Sequence, residues 1–215
     1  MEPGIKTTNL DFLRVYLITD RSLLPGGDFL HAIESALAGG VRSIQLREKG
    51  LSQEQLLPLA KDMIRLTQNY GAKLFINSHA DLADAIGADG VQLTEASPPV
   101  KDIRKKFPKL LIGVSTHSLE SARSKQNDGA DFITFSPIFD TPSKQLYGPP
   151  QGLDRLKKVA SSIDIPVIAL GGIKLNNALS VLRRGAFGIA LISGIWKSSS
   201  ITNTSHQFMK LGEMI

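Results

Sequence analysis

Short apolar runs alternate with longer stretches of helical hydrophobic spacing along the whole chain. One seven-residue phrase recurs, each time as a glycine followed by a short apolar run. Its copies are residues 40–46, 87–93, 129–135 and 185–191. A glycine suits the end of a helix, because a residue without Cβ adopts a left-handed conformation at little cost. The apolar run after each glycine predicts a buried strand.

Further apolar runs lie between these copies, at residues 15–19, 73–76, 111–114 and 166–170. The intervening segments carry apolar residues at helical spacing, for example Leu56, Leu59 and Met63. Strict alternation of strand and helix predicts a parallel sheet with right-handed crossovers. A phrase that returns with every second strand favours a closed barrel, so the sequence predicts an α/β protein with a single (β/α)8 TIM-barrel domain over residues 1–215.

The alternative architecture is an open, doubly wound sheet. Such sheets often carry Gly-x-Gly-x-x-Gly after the first strand, whereas here Asp20-Arg-Ser follows it. At the two termini of the chain, residues 1–10 are predicted to be a loose segment before the barrel, and residues 197–215 are predicted to be a tail that contains a short helix.

Composition narrows the classes of protein. The chain has no cysteine, which excludes thiolate catalysis, zinc–sulfur sites and disulfides. Its start lacks the pattern of a signal peptide and no apolar run approaches the length of a membrane span, so we expect a cytoplasmic protein with no membrane partner. The net charge is +5, but no basic stretch is interleaved with aromatic residues, so we expect no nucleic-acid partner.

In a parallel barrel, the residues that follow each strand converge on one face, where functional sites are built. Gly171-Gly172 follows the seventh predicted strand, and Ser193-Gly194 follows the eighth. Exposed backbone amides in such turns bind phosphate well, particularly at a helix start. The alternative is a pair of tight structural turns. We predict a phosphate site at these four residues.

A second anion site is predicted after the second strand. Arg47 and Lys49 are two residues apart, so in an extended segment their side chains point the same way. Together with Lys144 they could hold an anion; the alternative is that they form salt bridges with Glu48 and Glu95. Lys144 lies in residues 140–152, a segment rich in glycine and proline that we interpret as a mobile flap.

His117 follows the fifth strand directly and is the predicted acid–base catalyst, because histidine titrates near neutral pH. The alternative is that it only begins a helix beside Ser118. His79 is interpreted as structural.

Taken together, these residues resemble the thiamine-phosphate synthase and TenI family of thiamine biosynthesis, over about residues 15–196. The resemblance is carried by Gln45-Leu-Arg-Glu-Lys49, Gly87-Ala-Asp-Gly-Val-Gln-Leu93, Gly113-Val-Ser-Thr-His117, Thr141-Pro-Ser-Lys144 and Ala169-Leu-Gly-Gly-Ile173. It implies a small phosphorylated thiazole as substrate and a possible homodimer. It also implies that Gly172, Ser193 and Gly194 meet the thiazole phosphate. The remaining substrate or diphosphate positions are Gln45, Arg47, Lys49, Asn77, Ser115, Thr141, Ser143 and Lys144.

The family contains two chemistries. The synthase joins a pyrimidine diphosphate to a thiazole phosphate, and it carries two aspartates for Mg²⁺. Here Ser78 and Ser97 stand at those positions. The TenI branch, a thiazole tautomerase, is similar in lacking the acidic pair and needs no metal.

From the missing carboxylates we predict a TenI-like tautomerase, an isomerase in which His117 moves a proton, with no cofactor. The alternatives are thiamine-phosphate synthase, a transferase for which Mg²⁺ would be expected, and a non-catalytic regulatory protein that binds thiazole phosphate.

Overall fold

The computed structural model describes residues 9–24, 27–141 and 149–214. These residues form eight parallel strands that close into a barrel in chain order. The strands are Val15–Ile18 (β1), Ser43–Leu46 (β2), Lys73–Asn77 (β3), Gly90–Leu93 (β4), Leu111–Thr116 (β5), Phe132–Phe135 (β6), Val167–Leu170 (β7) and Gly188–Leu191 (β8). Pairing of Val15 with Ile189 closes the sheet between β1 and β8. The predicted (β/α)8 TIM barrel is therefore confirmed, and the open sheet is excluded.

Helices connect successive strands around the outside of the barrel. They are Phe29–Ala38 (α1), Gln53–Asn69 (α2), Ala80–Ile86 (α3), Val100–Lys106 (α4), Leu119–Asn127 (α5), Gly152–Ala160 (α6), Leu175–Leu182 (α7), Ser193–Trp196 (α8) and Ile201–Gly212 (α9). Local signals set several starts: Asp28 caps α1, Ser52 and Gln55 form a capping box on α2, and Ser118 caps α5.

The glycines of the recurring phrase end the helical segments as predicted. Gly40, Gly87, Gly129 and Gly185 have φ values of +100°, +70°, +95° and +90°. These values favour glycine, because a Cβ would clash with the backbone there. The phrase therefore marks the same helix-to-strand turn before β2, β4, β6 and β8.

Two layers of apolar side chains stabilise the barrel. One lies between strands and helices; the other fills the barrel interior. In the interior, Tyr16, Phe75 and Phe132 contact one another edge to face, with ring centroids 5.4–5.8 Å apart. A short 3₁₀ helix, Asp11–Arg14 (η1), places the buried side chain of Leu13 in this same layer. This packing closes the end of the barrel from which the strands start, so a site is expected at the other end, where the strands finish.

Within the described ranges, no helix has both the length and the apolar character needed to cross a membrane.

Candidate functional site

The barrel interior changes from aromatic to polar towards the carboxyl ends of the strands. Gln45 on β2 and Gln92 on β4 are each 2% exposed. The Gln45 Nε2 atom donates a hydrogen bond of 3.3 Å to the Tyr16 hydroxyl. The Gln92 Nε2 atom is 3.3 Å from both the Ser115 and Thr134 hydroxyls. These side chains form a buried polar floor beneath the open end of the barrel.

Gln45 and Ser115 are residues that the sequence predicts for the site, whereas Gln92 and Thr134 were missed. The sequence did contain a signal for both. Gln45, Gln92 and Thr134 occupy the sixth position of the recurring phrase, on β2, β4 and β6. Alternate strands of such a barrel contribute side chains to a common layer, so the shared position predicts a shared layer. Gln92 Oε1 is buried and has no hydrogen-bond partner among the described residues.

Two cationic side chains follow β2. The Arg47 backbone N–H donates to Thr19 Oγ1 at 2.9 Å, which ties the end of β2 to the end of β1. Arg47 is half-buried and Lys49 is exposed. Neither side chain makes a hydrogen bond or an ion pair within the described part of the chain. Their charges are therefore available to an anion.

Glu48 lies between these two cations but turns away from them. Its side chain is only 6% exposed, and its Oε2 accepts hydrogen bonds from the Arg21 backbone N–H at 3.1 Å and from Arg21 Nε at 3.3 Å. The expected alternative, in which Arg47 and Lys49 pair with Glu48 or Glu95, is not the arrangement seen. Glu48 pairs with Arg21 instead. The strand β2 ends at Leu46 and Lys49 already lies in a turn, so the extended geometry expected from the spacing does not continue to Lys49.

The turns after β7 and β8 lie against each other. Gly171 and Gly172 have φ values of +108° and +67°, and a Cβ at position 172 would lie 2.7 Å from Phe139 Cβ. A Cβ at Gly194, the second residue of α8, would lie 3.0 Å from the Ile173 carbonyl oxygen. Close backbone approach at both turns therefore requires small residues. This close approach brings Gly171, Gly172 and Gly194 together, which are three of the four predicted phosphate-binding residues. The fourth, Ser193, lies beside them and is exposed.

Trp196 fixes the far end of α8. Its indole is 3% exposed, and Nε1 donates a hydrogen bond of 2.7 Å to the carbonyl oxygen of Ile18 on β1. The helix that starts at the predicted phosphate site is thus tied to the barrel wall.

The His117 ring lies between the ends of β5 and β6. Its Nδ1 atom is 2.7 Å from the Ser136 carbonyl oxygen, so in the neutral ring Nδ1 carries the proton and Nε2 does not. The residue also lines a cleft of about 230 Å³ between α5 and α6, with Phe135 and Arg155. The catalytic role of His117 stays a prediction.

Of the four remaining predicted residues, two lie among the described residues and two do not. Asn77 ends β3, and its Nδ2 donates to Ser78 Oγ at 3.0 Å. Thr141 is half-buried at the end of a described range. Ser143 and Lys144 lie outside the described residues, as does most of the predicted flap.

The two positions at which the resemblance implies magnesium ligands do not suit a metal. Ser78 Oγ accepts the Asn77 amide hydrogen bond, and its backbone has a φ of +65°. Ser97 Oγ is turned back onto its own loop, where it accepts the Thr94 backbone N–H at 2.9 Å. No group of three histidine or carboxylate side chains in the described ranges could hold a metal ion. Mg²⁺ prefers carboxylates beside substrate phosphates, so these residues do not fit it.

Comparison with known proteins shows the family. The thiamine monophosphate synthase family model matches residues 15–195. A protein of Geobacter sulfurreducens with a provisional thiamine-phosphate synthase name is 51% identical over 182 residues, covering 84% of this chain and 85% of the relative. The thiamine-phosphate synthase of Chloroflexus aurantiacus is 37% identical and is covered to 92%, as is this chain. The structure of thiamine phosphate pyrophosphorylase from Pyrococcus furiosus has a TM-score of 0.87 at 34% identity, over 95% of this chain and 97% of that one.

These relatives contradict the expected tautomerase. Those described above carry synthase or pyrophosphorylase names, so placement in the TenI branch and assignment as an isomerase are both wrong, and the synthase alternative is the better supported one. The two missing carboxylates do not by themselves decide which reaction the chain catalyses. Such carboxylates would hold a metal ion. Arg47 and Lys49 are positively charged and can themselves bind a diphosphate, so the absence of the carboxylates does not exclude the synthase reaction. With its barrel, its recurring phrases and these relatives, the chain belongs to the thiamine monophosphate synthase family.

Proposed function

We propose that the chain is a thiamine-phosphate synthase, a transferase that joins a pyrimidine diphosphate to a thiazole phosphate and releases pyrophosphate. One observation carries the proposal beyond the names of the relatives: the open end of the barrel offers two separate places for an anion. The first is the cationic segment after β2, and the second is the pair of glycine turns after β7 and β8. A reaction between two anionic substrates needs two such places.

The diphosphate binds at the first place. The guanidinium of Arg47 has no partner within the described residues, and its planar donors match phosphate oxygens in pairs. Lys49 adds a second, more mobile charge. Asn77, Thr141, Ser143 and Lys144 complete the proposed set of diphosphate contacts, as the resemblance to the family implies.

The thiazole phosphate binds at the second place. Gly171, Gly172 and Gly194 lie at turns where a Cβ would crowd neighbouring atoms, and the exposed Ser193 lies beside Gly194. The backbone N–H groups of these four residues are proposed to bind the phosphate. Asn177 supports this region, because its Nδ2 donates to the Gly172 carbonyl oxygen at 3.0 Å and its Oδ1 accepts the Lys174 backbone N–H at 2.8 Å. The turn is therefore held in shape before a ligand arrives.

The polar floor orients the pyrimidine ring between these places. Gln45, Gln92 and Ser115 offer both donors and acceptors, and the buried Gln92 Oε1 has no protein partner among the described residues. A heteroaromatic ring also carries donors and acceptors at its edge, so a fixed polar floor can set its direction. His117 is proposed to contact the substrates from the rim above, through Nε2.

The reaction itself needs positioning and charge stabilisation. The bond between the exocyclic carbon of the pyrimidine and the diphosphate oxygen breaks, and the diphosphate leaves with the electron pair. The thiazole ring nitrogen supplies its lone pair to that carbon. No proton moves between carbon atoms, so the residues bind and align both substrates and stabilise the charge on the leaving group.

A direct assay tests the proposal. The purified protein is incubated with hydroxymethylpyrimidine diphosphate and the thiazole phosphate, with and without Mg²⁺, and thiamine phosphate is measured by mass spectrometry. We expect thiamine phosphate and pyrophosphate in equal amounts, and no product when either substrate is omitted. Binding of both substrates with no product under either condition would show that the chain is not a synthase.

A further inference from the structure

Two serines stand where the resemblance to the family places magnesium-binding carboxylates, and both hydroxyls are engaged by their own loops. We propose that coupling by this chain does not depend on a divalent cation, because protein cations at the end of β2 stabilise the departing diphosphate. This inference rests on the proposed synthase function and concerns how that function is carried out.

The remaining carboxylates near the open end do not replace the missing pair. Asp20 accepts hydrogen bonds from the Ser22 backbone N–H at 3.2 Å and from the Ser22 hydroxyl at 2.5 Å, and so caps a short helical turn. Glu48 is held by Arg21. Glu95 and Asp140 are exposed. Asp20 is committed to a structural bond, and Glu95 and Asp140 are open to water. Glu48 is bonded only through Oε2, and its buried Oε1 has no hydrogen-bond partner among the described residues. Within those residues, no three histidine or carboxylate side chains form a group that could hold a metal.

Arg47 supplies the positive charge that a metal would otherwise provide. Arg47 is half-buried, and its side chain has no anionic partner among the described residues, so its charge is uncompensated until an anion binds. The diversion of Glu48 to Arg21 is what leaves this charge uncompensated. In a partly buried site, charge–charge attraction is stronger than in water. Lys49 adds to the same field from the exposed side.

The bonds that break and form in the coupling step can be accounted for without a metal ion. The carbon–oxygen bond to the diphosphate breaks and its electron pair goes to the leaving oxygen, while the lone pair of the thiazole nitrogen forms the new carbon–nitrogen bond. No oxidant, reductant or proton donor is consumed. The step requires only that the negative charge developing on the departing diphosphate be stabilised, and the positive charges of Arg47 and Lys49 can stabilise it.

The first test measures the coupling rate with EDTA and with Mg²⁺, for the wild type and for the double variant Ser78→Asp/Ser97→Asp. Metal assistance is worth several kcal/mol, so a metal-dependent enzyme would lose on the order of 100-fold or more in EDTA. We expect the wild type to change by less than about tenfold and the double variant to become dependent on Mg²⁺. A wild-type loss of tenfold or more overturns the inference. Absence of product in every condition counts instead against the proposed function.

The second test uses binding and does not require turnover. Calorimetry measures the affinity for inorganic pyrophosphate, with EDTA and with Mg²⁺. We expect similar affinities in both, and a loss of about 10- to 100-fold for Arg47→Met, the range for removing a charged hydrogen-bonding group. Arg65→Met is the matched control, because the Arg65 side chain is 77% exposed on α2 and, among the described residues, forms an ion pair with Asp62 alone. Pyrophosphate binding that requires Mg²⁺, or that is unaffected by Arg47→Met, contradicts the inference.

Discussion

The hydroxyl of Tyr16 lies inside the barrel, where the aromatic layer meets the polar floor. The side chain is fully buried and accepts one hydrogen bond, from Gln45 Nε2. Burial raises the pKa of the Tyr16 hydroxyl well above its ordinary value, although the bond from Gln45 acts weakly in the opposite direction. Tyr16 therefore keeps its proton in the folded protein to a higher pH than an exposed tyrosine does.

The raised pKa of Tyr16 predicts that the free energy of unfolding depends on pH in the alkaline range. In the unfolded chain Tyr16 loses its proton near pH 10, whereas the folded protein keeps it. The unfolded state then binds fewer protons, so the free energy of unfolding falls as the pH rises above about 10, by at most about 1.4 kcal/mol per pH unit. Denaturant unfolding of the wild type and Tyr16→Phe between pH 8 and 11 measures this. The variant should lose less stability above pH 10; identical slopes would disprove the assignment.

Single residues also show where prediction from sequence stopped. Arg47 and Lys49 were recognised from their spacing, but two outcomes stayed open: an anion site or ion pairs with Glu48 and Glu95. The answer depended on Arg21, which lies 27 residues away from Glu48 in sequence and contacts it only because β1 and β2 are neighbours. Local spacing contains no information about such a partner.

At the scale of elements, the turn after β7 is the most constrained part of the candidate site. Gly172 combines a positive φ with close contact to Phe139 and to the Asp140 carbonyl oxygen. Gly71, between α2 and β3, has a similar φ of +61°, but no atom lies within 4 Å of its would-be Cβ. Substituting alanine at each of the two glycines therefore distinguishes two contributions to the loss of stability: the unfavourable backbone conformation, present at both, and the steric crowding of the Cβ, present only at Gly172.

We expect Gly71→Ala to cost about 1–2 kcal/mol of stability through its left-handed backbone alone, with unchanged kinetics. Gly172→Ala should cost more, and it should also raise the KM for the thiazole phosphate by about tenfold, equivalent to roughly 1.4 kcal/mol of binding. Chemical denaturation and steady-state kinetics on both variants check this. Equal KM values for the two would remove Gly172 from the proposed phosphate site.

The strands and their order could be predicted because the recurring phrase is local: a glycine that ends a helix and an apolar run that follows it. The polar floor could be predicted only in part. Gln45 and Ser115 were identified, but Gln92 and Thr134 are polar residues inside short apolar runs. Whether such a residue faces the helices or the barrel axis follows from the alternation of side chains in the closed sheet, once its register is known.

At the scale of the whole molecule, the barrel depends on a closure at the end opposite the site. Leu13 of η1 is fully buried in the interior layer, and the neighbouring Arg14 lies over the Phe187 ring at 4.2 Å and donates to the Phe187 carbonyl oxygen at 2.9 Å. Gly188 on β8 leaves room for this helix, because a Cβ there would collide with the Leu13 carbonyl oxygen.

Leu13→Ala should therefore destabilise the entire barrel. Loss of a fully buried leucine side chain typically costs about 2–5 kcal/mol. Leu175→Ala, at a side chain that is 38% exposed, should change the free energy of unfolding by less than about 1 kcal/mol. Urea denaturation followed by circular dichroism compares them. A lower midpoint with one cooperative transition is expected for Leu13→Ala, and a near-wild-type midpoint would show that η1 is not part of the cooperative unit.

Trp196 is the chain's single tryptophan, and its indole is anchored to β1 two residues beyond Gly194. The protein thus carries one tryptophan fluorophore, shielded from water and located beside the turn at which the thiazole phosphate is proposed to bind. Its emission colour and intensity report on that corner of the molecule alone. If the thiazole phosphate binds at this turn, we expect the tryptophan emission to change, so that binding could be followed in solution without an attached dye.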